Sequence, residues 1–149
     1  MFITIIRKAR LILIIIMMLF NVIELNAAEI IPNVIRSGFS EYKTFGSKKA
    51  VKAWMKNGPD EINYESLPVI NDLQYIDNLY GNYINFEIIK TVKLSNSTTV
   101  LYISINYDLG ALFSKFIIYN IGGEELVTKM EVNTNPEIIM PSLDLWRTR

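Results

Sequence analysis

At Tyr83 the hydrophobic pattern of this chain changes period, and the change restricts the folds open to it. Upstream, apolar residues recur three and four positions apart, as on one side of a helix. Downstream come four runs rich in Ile, Val, Tyr, Phe and Thr, at 83–94, 99–107, 111–121 and 126–133. Ser95-Asn96-Ser97-Thr98, Asp108-Leu109-Gly110 and Gly122-Gly123 separate them. A parallel pair of strands needs a crossover of roughly a dozen residues, so links this short force neighbouring strands to run antiparallel.

Three helices are expected before the strands. Ile31, Val34, Ile35, Phe39 and Tyr42 share one face of the first, which Gly46 ends. Ser47 is suited to cap a short second helix, with Ala50, Val51, Trp54 and Met55 inward and Lys48, Lys49, Lys52 and Lys56 in solvent. Gly58-Pro59 stops it. Residues 60–64 read as a short irregular piece, with an edge strand as the alternative. A third helix, from about Pro68 to Tyr80, buries Val69, Leu73, Ile76 and Tyr80, and Gly81 suits its left-handed cap. The expected class is α+β: three N-terminal helices packed on a four-stranded antiparallel meander.

Strand registers can be tested against each other, because a one-residue slip exchanges the two faces of a strand. Pairing Asp108 with Ala111 puts Leu101, Ile103, Ile105 and Tyr107 on one face with Leu112, Ser114, Phe116 and Ile118. That face is apolar enough to meet the helices. A three-residue loop, Gly122 to Glu124, sets Met130 opposite Phe116, Thr128 opposite Ile118 and Lys115 opposite Glu131. A two-residue Gly-Gly loop would instead bring Lys129 to the buried face. Pairing Leu94 with Thr99 buries Phe86, Ile88 and Val92, and with them Lys90, the one discordant residue. Either Lys90 lines a pocket as a cation, or a bulge shifts the pleat, or its stem packs while its amine reaches water.

Residues 1–28 are laid out as a secretory signal peptide. Arg7, Lys8 and Arg10 precede the apolar run Leu11 to Phe20, and Ala27-Ala28 offers small residues for cleavage. The run is shorter than the roughly 20 residues a bilayer span requires. The expected location is periplasmic or secreted; the alternative is an inner-membrane anchor through an uncleaved leader. The domains read as 1–28 leader, 29–135 folded domain and 136–149 irregular tail.

The chain holds no cysteine and no histidine. Disulfides, the usual zinc and copper ligand sets, Ser-His-Asp and Cys-His catalysis and histidine pH switches are thereby excluded. Tyr64, Glu65, Asp72 and Asp77 lack calcium-loop spacing, so no metal and no cofactor are expected. Charge is balanced at 15 basic and 15 acidic residues. Removing Arg7, Lys8, Arg10 and Glu24 leaves 15−3=12 against 15−1=14, a balance that disfavours nucleic acid as a partner.

Several short segments, taken in order, resemble one known group. They are Phe39-Ser40-Glu41-Tyr42, Ala50-Val51-Lys52-Ala53-Trp54 with Gly58-Pro59, and Leu79-Tyr80-Gly81-Asn82-Tyr83. Tyr107-Asp108-Leu109-Gly110-Ala111-Leu112-Phe113, Gly122-Gly123 and Asn133-Thr134-Asn135-Pro136-Glu137 complete the set. Helices followed by such a meander resemble the nuclear transport factor 2-like, ketosteroid-isomerase-like superfold, in an exported bacterial group without assigned activity. The resemblance implies a cone, helices closing over a bent sheet around a cavity, and dimerisation through the sheet.

Within that frame Trp54, Tyr80, Lys90, Tyr107 and Ser114 are the candidates to line a cavity for a small apolar or amphipathic ligand, with Thr128 a further polar member. On the opposite face Val100, Tyr102, Phe113, Ile117, Tyr119 and Val127 form an apolar surface, with Tyr102, Phe113, Ile117 and Tyr119 the candidate contacts of a homodimer. A covering tail, residues 136–146, is the alternative. The expected function is a small exported binding or interaction protein. Its rivals are a cavity enzyme of isomerase or dehydratase type with Lys90 or Glu87 as base, and a subunit of an envelope assembly.

Overall fold

The computed structural model describes residues 31–140; the expected leader, residues 1–28, and residues 141–149 lie outside the described residues. Helices α1 (Asn33–Phe45) and α2 (Ser47–Met55) are followed by a 3₁₀ turn, Tyr64–Ser66, and by α3 (Pro68–Tyr80). Four strands come next: β1 (Tyr83–Lys93), β2 (Thr98–Tyr107), β3 (Gly110–Ile121) and β4 (Glu124–Asn133). They form one open antiparallel sheet in the order β1-β2-β3-β4. One helical turn, α4 (Pro136–Ile139), closes the described chain. The α+β class and the meander agree with the sequence.

Apolar spacing decides what the helices bury. Ile35, Phe39 and Tyr42 of α1, Ala50, Val51, Trp54 and Met55 of α2, and Val69, Ile70, Leu73 and Ile76 of α3 join one core with the inner side of the sheet. Gly46 turns the chain at φ +83° and donates its N–H to the Tyr42 carbonyl, a conformation that favours glycine. Here the structure corrects the sequence: Gly46, not Ser47, occupies the cap of α2, and Ser47 is buried as its first helical residue. Residues 60–63 form turns and Tyr64 opens the 3₁₀ turn, so the segment is irregular, as expected, and not an edge strand. The start of the supposed irregular tail is α4, whose cap Asn135 accepts the Glu137 N–H at 3.0 Å.

Gly38 lets α1 and α2 meet. A Cβ there would fall inside the Trp54 indole, which is 0% exposed and donates from Nε1 to the Ile35 carbonyl at 3.3 Å. Phe39 packs edge-on against Trp54 at 4.9 Å and stacks on Phe86 at 4.0 Å, and Phe116 meets Trp54 at 5.2 Å. These rings fill the space between the helices and the sheet.

The inner face of the two central strands has the expected membership, reached by other pairings. Tyr107 pairs with Gly110 across a two-residue turn, so Ile105 lies opposite Leu112, Ile103 opposite Ser114 and Leu101 opposite Phe116. A shift of two positions exchanges partners but keeps the faces. The last hairpin does use the two-residue Gly122-Gly123 loop, at φ +61° and +89°, with Ile121 opposite Glu124. A bulge at Thr128 of β4, opposite the Ile117–Ile118 step of β3, then absorbs the slip: Val127 pairs with Ile118, Thr128 is left over, and Met130 pairs with Phe116 and Glu131 with Lys115. Val127 is consequently a core residue, 0% exposed, and not part of the outer face.

The first hairpin is corrected in the same way. Lys93, not Leu94, pairs with Thr99, and a bulge between Ile88 and Lys90 sets Lys90 opposite Tyr102. Ile88 stays against the core while Lys90 moves to the solvent side. An isolated buried ammonium is costly; one extra residue in the strand removes that cost.

A methyl group at Gly38 has no room beside a ring locked on its other sides. Gly38→Ala should lower unfolding free energy by about 3 kcal/mol, at the upper end of overpacking costs. The neighbouring exposed Ser37→Ala should change it by less than about 0.5 kcal/mol. Urea unfolding followed by Trp fluorescence measures both.

Candidate functional site

Of the five residues expected to line a cavity, four are brought together and one is not. Trp54, Tyr107 and Ser114 lie in the core. Each polar atom there is already used: Trp54 Nε1 as above, Ser114 Oγ on the Ile103 carbonyl at 3.3 Å, and the Tyr107 hydroxyl on the Tyr42 hydroxyl at 2.8 Å. Thr128 likewise donates to the Ile117 carbonyl at 3.2 Å. Among the described residues no buried side-chain nitrogen or oxygen lacks a partner. Tyr80 is half-buried and packs on this core, its ring edge-on to Tyr107 at 6.3 Å and against Gly110. Lys90 is exposed on the other face of the sheet, so its place as a lining residue is withdrawn.

A polar chain that the apolar stripes did not announce runs through the edge of this core. The Tyr42 hydroxyl donates to Asp77 Oδ1 at 2.7 Å. Having spent its hydrogen there, it accepts the Tyr107 hydroxyl at 2.8 Å. Three elements, α1, α3 and β2, are thus joined by two short bonds that end on a half-buried carboxylate. Burial, the closeness of Tyr107 and the Asp77 hydrogen bond and charge push the Tyr42 phenol far above its ordinary range. Burial also raises Tyr107, and burial alone pushes Tyr83, its ring tilted against Tyr42 at 4.8 Å, up to about 12. Both hydroxyls therefore stay protonated at neutral pH and serve as fixed donors. A surface cleft of about 350 Å³ opens beside them, lined by Tyr42, Lys43, Gly46, Asp77, Gly81, Asn82 and Tyr83. The signal available in the sequence was chemical rather than periodic: a tyrosine on a buried stripe needs a partner for its hydroxyl.

Next to this chain the Tyr107–Gly110 turn is clamped to the junction of α3 and β1. Asp108 Oδ2 accepts from the Asn82 backbone at 2.9 Å and from its side-chain amide at 2.8 Å. The Leu109 N–H reaches the Tyr80 carbonyl at 3.0 Å and the Asp108 N–H reaches that of Asn82 at 3.1 Å. Gly81, at φ +85°, passes so close to Asp108 that a Cβ would stand 3.0 Å from Oδ2.

On the outer face Tyr102, Phe113 and Ile117 are half-buried, and Tyr119 is 39% exposed. Polar groups interrupt them. Asn106 donates to Asn85 and accepts from Ser104, both at 2.8 Å. Glu131 takes Lys115 on one oxygen and Lys129 on the other, which holds its carboxyl below the ordinary range. Ile139 and Met140 are buried outside the helix–sheet core, where α4 closes over part of β3 and β4.

A second cleft, about 300 Å³, runs between the start of α3 and β4. Met55, Leu67, Val69, Met130 and Val132 supply its apolar floor, with Asp60, Asp72, Lys129 and Glu131 around it. No cluster of acidic side chains able to hold a metal ion occurs among the described residues. Comparison with known proteins finds no family model, no curated protein and no solved structure that matches the chain.

The hydroxyl chain has a direction, and single deletions should reveal it. Tyr42→Phe leaves the Tyr107 hydroxyl buried without an acceptor and should cost about 1–3 kcal/mol, whereas Tyr107→Phe leaves Tyr42 on Asp77 and should cost about 1 kcal/mol or less. The double variant should cost less than the two singles added together, measured by chemical unfolding.

Raised phenol pKa values also fix a pH dependence. The folded state holds protons that the unfolded chain gives up near pH 10.0, the ordinary tyrosine value. The contribution of these two phenols to stability should therefore be constant below that pH and fall as the pH rises past it. Denaturant midpoints at pH 8 and pH 11 test the sign.

Proposed function

We propose that this chain is an exported interaction protein that works by binding at its surface, on a frame of the nuclear transport factor 2-like, cone-forming type. The observation that carries the reading is the filled interior. Trp54, Phe39, Phe86 and Phe116 occupy the space where a ligand would sit, and the polar atoms among them are bonded to the protein itself. Lys90 and Glu87, the residues the sequence offered as a base, are exposed on the outer face opposite Tyr102 and Ser104. A base in a cleft with a tuned pKa is what proton-transfer catalysis requires. The helices-then-meander order supports the choice of frame, and the basic, apolar and small-residue order of residues 1–28 supports export.

Two partners follow from the surface. A second copy is the partner proposed for the outer sheet face at Tyr102, Phe113, Ile117 and Tyr119, where apolar rings remain in contact with solvent. An extended protein segment, or a subunit of an envelope assembly, is the kind of partner the remaining clefts suit.

Native mass spectrometry of the protein drawn from its own envelope fraction tests this. The expected species lacks residues 1–28, contains two copies and carries no small molecule. Tyr119→Arg, at an exposed position, should return it to one copy with an unchanged far-ultraviolet spectrum. A stoichiometric small molecule retained by the protein would overturn the surface reading in favour of a cavity.

A further inference from the structure

The two edges of the sheet differ in a way that points to a docking site. Along β1 the ladder to β2 is broken twice, between Tyr83 and Asn85 and between Ile88 and Lys90. Such irregularities twist an edge away from a would-be partner. Along β4 the interruption comes early, at Thr128, and beyond it Lys129–Asn133 pairs in unbroken register with Ile117–Phe113. No described backbone group outside the sheet bonds to that stretch, so its outward N–H and C=O groups have no main-chain partner among the described residues.

This regular edge borders the 300 Å³ cleft. That volume is at the lower end for sites that take up side chains. Its floor holds two methionines, Met55 and Met130, whose flexible thioethers reshape around different apolar groups. Its charge is one-sided. Lys129 and Glu131 are tied to each other, while Asp60 and Asp72 pair with no lysine or arginine among the described residues.

We propose that residues Lys129–Asn133 of β4 accept an extended, basic and apolar peptide segment of another protein as a fifth strand, with its apolar side chains over Met55 and Met130 and its cationic ones toward Asp60 and Asp72. The inference rests on the surface-binding reading and names the partner class for one part of that surface. Main-chain hydrogen bonds supply the docking and alternate side chains the selection, as in strand addition generally. A second copy is the less suitable occupant, because two like-charged rims would face each other.

The test uses the full-length chain and three dye-labelled hexapeptides: lysine alternating with valine, glutamate alternating with valine, and the first peptide N-methylated on its backbone at every second residue. Fluorescence anisotropy should show binding of the first peptide, at least tenfold weaker binding of each of the others, and at least a threefold loss for Asp72→Asn, an exposed position. Hydrogen exchange should slow at residues 129–133 with the first peptide alone. Equal binding of the methylated or the acidic peptide, or protection confined to β1 or to the outer face, would overturn the proposal. So would concentration-dependent protection of residues 129–133 without peptide, which would assign the edge to a second copy. None of these results depends on whether the protein retains a small molecule, so this proposal can fail while the surface reading stands.

Discussion

Everything in this fold is arranged around a tryptophan seated on a glycine. Only Gly46 separates α1 from α2, and Gly38 is where the Trp54 side chain of α2 seats on α1. The indole of Trp54 takes the space that any Cβ at residue 38 would need, and from there it meets Phe39 of α1 and Phe116 of β3. Close packing of this kind tolerates little change in volume. The few polar atoms inside this core are bonded within the protein itself.

Polar groups were admitted to the interior only where geometry satisfied them completely. The chain Tyr107–Tyr42–Asp77 crosses from sheet to helices and ends at a carboxylate near solvent. Each hydroxyl both fills apolar space and finds its acceptor, so the chain fastens α1, α3 and β2 without an orphaned group. Beside it the Asp108–Asn82 clamp holds the central turn against the end of α3. The outer face follows the opposite rule, with its apolar rings interrupted by Asn85, Asn106 and the Lys115–Glu131–Lys129 group.

Bulges account for most of the distance between expectation and structure. The alternation in 99–107 and 111–121 was legible, because every second residue is strongly apolar, and the set facing the helices was read correctly although the pairing was displaced by two. A single inserted residue has no such signature in a strand where neighbours are both apolar, as Ile88 and Ile89 are. Lys90 was the trace it left: a cation where the pattern demanded a hydrophobe. Val127 and Thr128 hid theirs, since either could face inward, and the excluded Gly-Gly loop became acceptable once the ladder slipped by one. For the candidate site, Trp54, Tyr107 and Ser114 were legible as inward residues, but whether they line a hollow or fill one depends on volumes contributed by Phe39, Phe86 and Phe116 from other elements.

By itself, the order of residues determined three helices, four antiparallel strands and the chemistry that is out of reach. Those properties rest on local periodicity, link length and the absence of cysteine and histidine, each of which is written along the chain. Tertiary structure alone decided that Lys90 faces water, that the Tyr42 hydroxyl donates its hydrogen bond to Asp77, and that β4 keeps one regular edge beside an apolar cleft. These depend on where one extra residue is taken up in a ladder and on which side chains from distant segments come to share a volume. No window of neighbouring residues contains that information.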